Sequence, residues 1–315
     1  MRAATVVLTL LALSACSGTP SGPGAGGGGP TGSIYITWNA EGDARPQVYR
    51  VSVPDGNYEQ VVVPYHSIGP DFDVDHDGSG LLFQPPAPKL AWMPGFDPSR
   101  LVEPVKNGYR LSPRISPDLN SIASVIVEQF IPREIRILDM RTGVERLIGT
   151  MPRDGGYSLD HWFAGGDSLL VSWSGFLGRQ EYYIAQADGS GVTPFDFPLE
   201  RHASYLAISP DERRLAISNP RISDSLGYAT DTIQIADINP PRLVRSLGLP
   251  YRVGQLAWSP DGRYLAHIGA GSYIEDGKTT VRVLEIIDVE SGERTALITI
   301  QDPGTFARRV RWARN

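Results

Sequence analysis

Asp73-Val-Asp-His-Asp-Gly78 places three carboxylates at alternate positions ahead of a glycine. That is the opening pattern of a calcium loop, in which alternate side-chain oxygens converge on a hard cation and glycine allows the sharp turn. The remainder of such a loop is missing. Its ninth position is Leu81, and its twelfth is Gln84 where a bidentate glutamate should stand. The five histidines, His66, His76, His161, His202 and His267, are dispersed, with no metal-ligand spacing. No Gly-x-Ser-x-Gly elbow, phosphate-binding loop or His-Glu-x-x-His pair occurs. Neither a metal nor another cofactor is implied, and no catalytic residue is assigned.

The aspartate segment has a second reading, because it is one copy of a repeat. Leu256-Ala-Trp-Ser-Pro-Asp-Gly262 precedes the apolar run Arg263-Tyr-Leu-Ala-His-Ile268. Leu206-Ala-Ile-Ser-Pro-Asp211 and Arg114-Ile-Ser-Pro-Asp118 precede similar runs, as do Phe72 to Gly78 and His161 to Gly166. A sixth copy, Val310-Arg-Trp312, ends the chain. The large apolar residue falls at Val74, Ile115, Trp162, Ile208, Trp258 and Trp312, at intervals of 41 to 54 residues. In each turn proline presets φ, aspartate accepts from nearby backbone N–H groups, and glycine takes positive φ. Flanking apolar runs are then hairpin strands. A second turn signal, such as Arg141-Thr-Gly143 or Glu290-Ser-Gly292, follows in most repeats. Four strands per repeat and this period predict an all-β fold, a six-bladed β-propeller.

The chain ends complement each other. The last repeat has one strand, whereas the first segment, with Ile34 to Trp38, Val48 to Val51 and Gln60 to Val63, reads as three. The C-terminal strand pairing with the N-terminal blade would close the ring and remove its open edge.

Closure brings the first strands of all blades to a central channel. If Trp258 and its equivalents pack between blades, the opposite parity faces the channel. That parity reads Asp71 and Asp73, Ser112 and Arg114, Leu159 and His161, Tyr205 and Ala207, Gln255 and Ala257, then Arg309 and Arg311. The acidic first strand and the basic closing strand become neighbours. Asp71, Asp73, Arg114, His161, Tyr205, Arg309 and Arg311 are therefore the candidate ligand-binding residues, at a polar channel mouth suited to an extended peptide or a small polar ligand. Outer connections such as Gly269 to Lys278 are the alternative.

Residues 1–15 read as a processing segment, with Arg2 followed by an apolar run from Ala3 to Leu13 that is too short to span a bilayer. Leu13-Ser-Ala-Cys16 resembles the lipobox of bacterial lipoproteins, which implies cleavage before Cys16 and lipidation of its thiol. Cys16 is the sole cysteine, so it has no disulfide partner within the chain. Residues 16–32 follow as a Gly, Pro, Ser, Thr and Ala tether, with an expected span of roughly 20–25 Å. In a Gram-negative cell the uncharged Ser17 implies sorting to the outer membrane, facing the periplasm. The formal net charge of −6 argues against a nucleic-acid partner. Residues 33–315 hold six repeats with no room for a second domain.

The repeats resemble those of TolB-like propellers, whose blades carry Trp-Ser-Pro-Asp-Gly before an apolar strand. Residues 258–262 match that motif in full, and 208–211 and 115–118 match in part. The resemblance covers nearly all of residues 33–315. It implies a six-bladed propeller and a cell-envelope role in binding other proteins. The motif residues are scaffold and carry no site with them. Gly166-Asp-Ser-Leu169 spells the motif of one lipase family, yet in the repeat frame Ser168 begins a blade strand, aligned with Tyr264. The expected function is thus a monomeric, lipid-anchored envelope module that binds a protein or peptide and is not an enzyme. The alternative is a propeller enzyme, a metal-dependent lyase or a hydrolase acting on envelope saccharides or peptides.

Overall fold

The computed structural model describes residues 29–38, 46–65, 68–69, 71–86, 89–105, 109–128, 131–150, 156–175, 180–195, 205–221, 230–249, 252–273, 279–301 and 307–314. The expected signal segment, Cys16, most of the tether, His66 and His202 lie outside the described residues.

The repeat turn is built the same way wherever its sequence is kept. In the best copy Ser259 Oγ accepts from Tyr264 N at 2.8 Å, and Asp261 Oδ1 accepts from Arg263 N at 3.0 Å. Ser209 with Asp211, and Ser116 with Asp118, repeat the arrangement. Gly262 takes φ +68°, and Leu119 and Glu212 hold the same left-handed conformation without being glycine. In the aspartate segment Asp75 replaces the serine, accepting from Gly80 N at 2.7 Å and Ser79 Oγ at 2.6 Å. Asp73 turns to the channel and Asp77 lies beside His76, so the three carboxylates do not converge on one point.

Hairpins on these turns form six four-stranded antiparallel sheets among the described residues. Blade 1 combines β24 (Ala307–Ala313) with β1 (Gly32–Trp38), β2 (Gln47–Val53) and β3 (Tyr58–Gln60). Blade 2 holds β4 (Phe72–Val74), β5 (Gly80–Phe83), β6 (Leu90–Pro94) and β7 (Val102–Val105). Blade 3 holds β8 (Tyr109–Ile115), β9 (Ser121–Glu128), β10 (Ile131–Asp139) and β11 (Glu145–Thr150). Blade 4 holds β12 (Gly156–Trp162), β13 (Ser168–Ser174), β14 (Gln180–Gln186) and β15 (Val192–Pro194). Blade 5 holds β16 (Tyr205–Ile208), β17 (Arg214–Arg221), β18 (Thr230–Asp237) and β19 (Arg242–Leu249). Blade 6 holds β20 (Arg252–Trp258), β21 (Tyr264–Tyr273), β22 (Thr279–Asp288) and β23 (Arg294–Gln301). The ring closes as the chain ends require, with Ile34 opposite Trp312 and Ile36 opposite Val310. No helix of the described residues is long and apolar enough to cross a membrane.

Two local expectations need correction. Residues 61–63 are not strand. Val61 N still bonds Val48 O at 2.9 Å, but the ladder then ends, with Val61 buried and Val62 exposed. Gly269 to Tyr273 continue β21 rather than forming a connection, because each pairs with β22; residues 274–278 lie outside the described residues.

Each blade is covered on both sides, so its middle strands read as continuous apolar runs. Leu81 and Phe83 pack toward blade 1, and Leu82 toward blade 3. The six aligned apolar residues fall one to each seam between blades: Val74, Ile115, Trp162, Ile208, Trp258 and Trp312. Two indoles also staple their surroundings. Trp258 Nε1 donates to Ala207 O on the neighbouring blade at 3.0 Å, and Trp312 Nε1 donates to Thr31 O at 3.0 Å.

The register gives the ring two distinct ends. The first strands β4, β8, β12, β16 and β20 finish at a repeat turn, here called the turn end, and β24 points the same way; the opposite end is the mouth end. Ser33 pairs with Ala313 and Trp38 with Ala307, so β1 begins at the turn end. Thr31, the residue before β1, is therefore at the turn end, beside Pro260, Asp261 and Arg314.

Candidate functional site

Two rungs of polar side chains cross the channel, and both start from the neighbouring strands β4 and β24. In the upper rung Asp71 Oδ1 accepts from Arg309 Nε at 2.8 Å and from Nη2 at 2.6 Å. Asp71 Oδ2 accepts from Ser112 N at 3.1 Å, and Ser112 Oγ donates to Ser158 Oγ at 3.2 Å. In the lower rung Asp73 Oδ1 accepts from Arg311 Nε at 2.7 Å, and Asp73 Oδ2 accepts from Ile115 N at 3.1 Å. Arg114 Nη1 donates to Pro113 O at 2.7 Å, and its Nε lies 3.4 Å from Asp160 O.

These charges are buried, with Arg114 3% and Arg309 5% exposed. Burial raises the Asp71 carboxyl, but Arg309, Arg114 and the Ser112 N–H outweigh it and hold it below the ordinary range. Burial and the adjacent Arg311 and Arg309 push the Arg114 guanidinium well down from its usual value. Burial pushes Asp160 up, against a hydrogen bond from Ser172 and the field of Arg114. Tyr182 is raised by burial and then by Asp160.

A cavity of about 390 Å³ lies against the opposite wall. Blade 4 lines it with Ser158, Asp160, Ser172, Ser174, Gln180 and Tyr182, blade 5 with Tyr205 and Leu206, and blade 6 with Gln255 and Leu256. Arg309 and Arg311 complete it. Ser174 pairs with both Gly156 and Gln180, and Tyr205 begins β16, so the cavity reaches the mouth end. It is thus remote from the end where β1 begins. Three polar atoms of these lining residues are buried without a hydrogen-bond partner among the described residues: Arg311 Nη2, Asp160 Oδ2 and Gln255 Oε1; Arg114 Nη2, in the lower rung behind the lining, is a fourth.

Asp71, Asp73, Arg114, Arg309 and Arg311 are brought together, but chiefly with one another. Tyr205 is at the cavity mouth, 39% exposed. His161 is placed elsewhere. A bulge between Leu159 and His161 breaks the alternation of β12, sending Leu159 into the seam between blades 3 and 4. His161 Nε2 instead meets Glu212 Oε1 at 3.4 Å, and its ring packs edge-on to Phe163 at 5.2 Å. Asp160 and Ser158 take the channel positions. The signal for this was in the sequence: Tyr157 and Leu159 are two apart, but Leu159 and Trp162 are three, a spacing that strict alternation cannot produce. Among the described residues no group of three or more His, Cys, Asp or Glu side chains is placed to hold a metal ion.

No protein-family model matches the chain, and no curated protein matches it. Solved structures do. TolB from Acinetobacter baumannii superposes with a TM-score of 0.68 at 17% identity, over 90% of this chain and 67% of that one. The putative TolB from Agrobacterium tumefaciens gives 0.58 at 17% identity, over 90% of this chain and 99% of that one. An oligogalacturonate lyase in complex with manganese gives 0.51 at 14% identity, over 81% and 71%. The fold is therefore a TolB-like six-bladed propeller; identities of this size establish nothing finer.

Proposed function

We propose that this chain is a lipid-anchored cell-envelope propeller that binds a protein or peptide at the mouth end of its channel. The observation that carries the reading is the polarity of the ring. The tether joins at the turn end, while a polar cavity with unpartnered donors and acceptors reaches the other end. A body held by its N-terminus would then present the cavity away from the membrane. The likeness to TolB structures supports an envelope binding role. The Gly and Pro tether and the lipobox-like Leu13-Ser-Ala-Cys16 support anchoring.

In-cell crosslinking with mass spectrometry tests the function, and a reproducible envelope partner is the expected result. A tightly retained metal or turned-over saccharide would instead favour the enzyme reading, for which the manganese-bound lyase is the fold precedent. Anchoring is tested separately. Cys16→Ala should release the body from the membrane fraction or leave an unprocessed precursor; mature, membrane-bound Cys16→Ala protein would refute lipidation there.

A further inference from the structure

The unpartnered atoms of the cavity specify a ligand more closely than its polarity does. One is a guanidinium donor, Arg311 Nη2, and two are acceptors, Asp160 Oδ2 and Gln255 Oε1; Arg114, behind the lining, adds a positive charge whose Nη2 is also unpartnered. A buried polar atom left unpaired is costly, so such atoms mark where a partner belongs. The charges divide the same way. Arg309 pairs with Asp71 and Arg311 with Asp73. Arg114 and Asp160 remain, one of each sign, and Arg114 Nε donates to the Asp160 backbone carbonyl rather than to its carboxylate. Hydroxyls of Ser158, Ser172, Ser174 and Tyr182 lie on the Asp160 side of the same cavity.

We propose that this cavity binds a small zwitterion carrying the amino and carboxyl groups of an amino acid. Its carboxylate sits against Arg311 Nη2, with the positive charge of Arg114 adjacent, and its ammonium sits against Asp160 Oδ2 and Gln255 Oε1. The proposal rests on the reading of the mouth end as a binding site and names its ligand. A simple anion would leave Asp160 facing it uncompensated. A simple cation would face the guanidinium groups of Arg309 and Arg311. A neutral polyol would satisfy hydrogen bonds but neither charge. The volume of about 390 Å³ is at the lower end of the usual small-ligand range of about 300–1,000 Å³, suited to a free amino acid or a dipeptide. Both sources share the chemistry.

The test uses the purified chain and named probes: L-alanine, L-serine, L-glutamate and L-lysine, dialanine, and the half-ligands propionate and ethylamine, with glucose as a neutral control. Thermal melting screens the set, and calorimetric titration follows. At least one amino acid or dialanine should raise the melting temperature and titrate, while propionate, ethylamine and glucose do not; which zwitterion responds separates free amino acid from peptide. Asp160→Asn and Gln255→Leu keep the Asp71–Arg309 and Asp73–Arg311 pairs, and circular dichroism verifies their fold. Asp160→Asn should weaken binding roughly tenfold to a hundredfold, the fold-change of one lost charge-assisted bond, and Gln255→Leu by less. No response to any zwitterion, an equal response to propionate or glucose, or unchanged affinity in both variants would overturn the proposal. Partner capture at the mouth without zwitterion binding would fell this inference alone. Zwitterion binding without partner capture would fell the protein-binding reading and leave this one standing.

Discussion

The two halves of the channel wall use polar residues in opposite ways. Where β24 meets β4 and β8, Asp71 and Asp73 pair with Arg309 and Arg311 and with the backbone of the next blade, leaving Nη2 of Arg311 as the unpaired atom of these four side chains. Where blades 4, 5 and 6 form the wall, serines, tyrosines and glutamines surround a cavity, and Asp160 and Gln255 each keep an unpartnered oxygen. The first half lies beside the ring's closing strand, where the ion pairs add to the apolar seam that packs blade 1 against blade 2. The second half joins blades that are consecutive in sequence and needs no such lock. Charge density alone is thus a poor guide to a binding site; the atoms left without partners are the better one.

The largest effect should come from removing the lock entirely. Deleting residues 308–315 takes away most of β24, Trp312 and both arginines. Loss of a large core side chain alone costs about 3–5 kcal/mol, a sizeable share of a domain's stability. The truncated chain should lose its cooperative melting transition; an unchanged transition would refute closure by this strand.

Next is Arg309→Ala, which leaves Asp71 buried without its ion-pair partner. Removing one member of a buried pair costs about 3–5 kcal/mol, whereas Tyr205→Ala on the cavity half should cost under about 1 kcal/mol, as for a surface change. Urea denaturation measures both, and equal losses would erase the distinction between the halves. The pH dependence sharpens it. The Asp71 carboxyl is held below its unfolded value, near 3.9. Its contribution is therefore full above about pH 4 and is lost as pH falls through the folded value. In Arg309→Ala that part of the acid-side loss should disappear.

The smallest effect has the opposite sign. Asp160 is raised by burial, so ionising it opposes folding as pH rises above about 4. Asp160→Asn should melt higher than the parent at pH 7, with the difference shrinking toward pH 4. A variant less stable than the parent at pH 7 would show that Asp160 belongs to the lock.

Much of this was legible in the sequence because the ring repeats. Six aligned apolar positions located all six seams, and the parity around them located the acidic and basic strands that meet at closure. The reading failed where a strand breaks its period. The bulge in β12 exchanged His161 for Asp160, and Ala257, on the parity read as facing the channel, packs in the seam with blade 1 while Gln255 lines the cavity. Ser172, Ser174, Gln180 and Tyr182 were out of reach for another reason. They belong to second and third strands, which enter the cavity wall only because of how blade 4 sits beside blades 5 and 6. Leu119 and Glu212 show the same limit at the turns, where a left-handed residue need not be glycine when the surrounding bonds fix it.

The mouth end, and not the turn end, should receive the partner. Photo-crosslinking residues placed singly at Tyr205, on the mouth, and at Val144, exposed in a turn at the other end, test it in living cells. A discrete crosslinked partner is expected from position 205 and none from position 144. A partner captured from position 144 alone would contradict it.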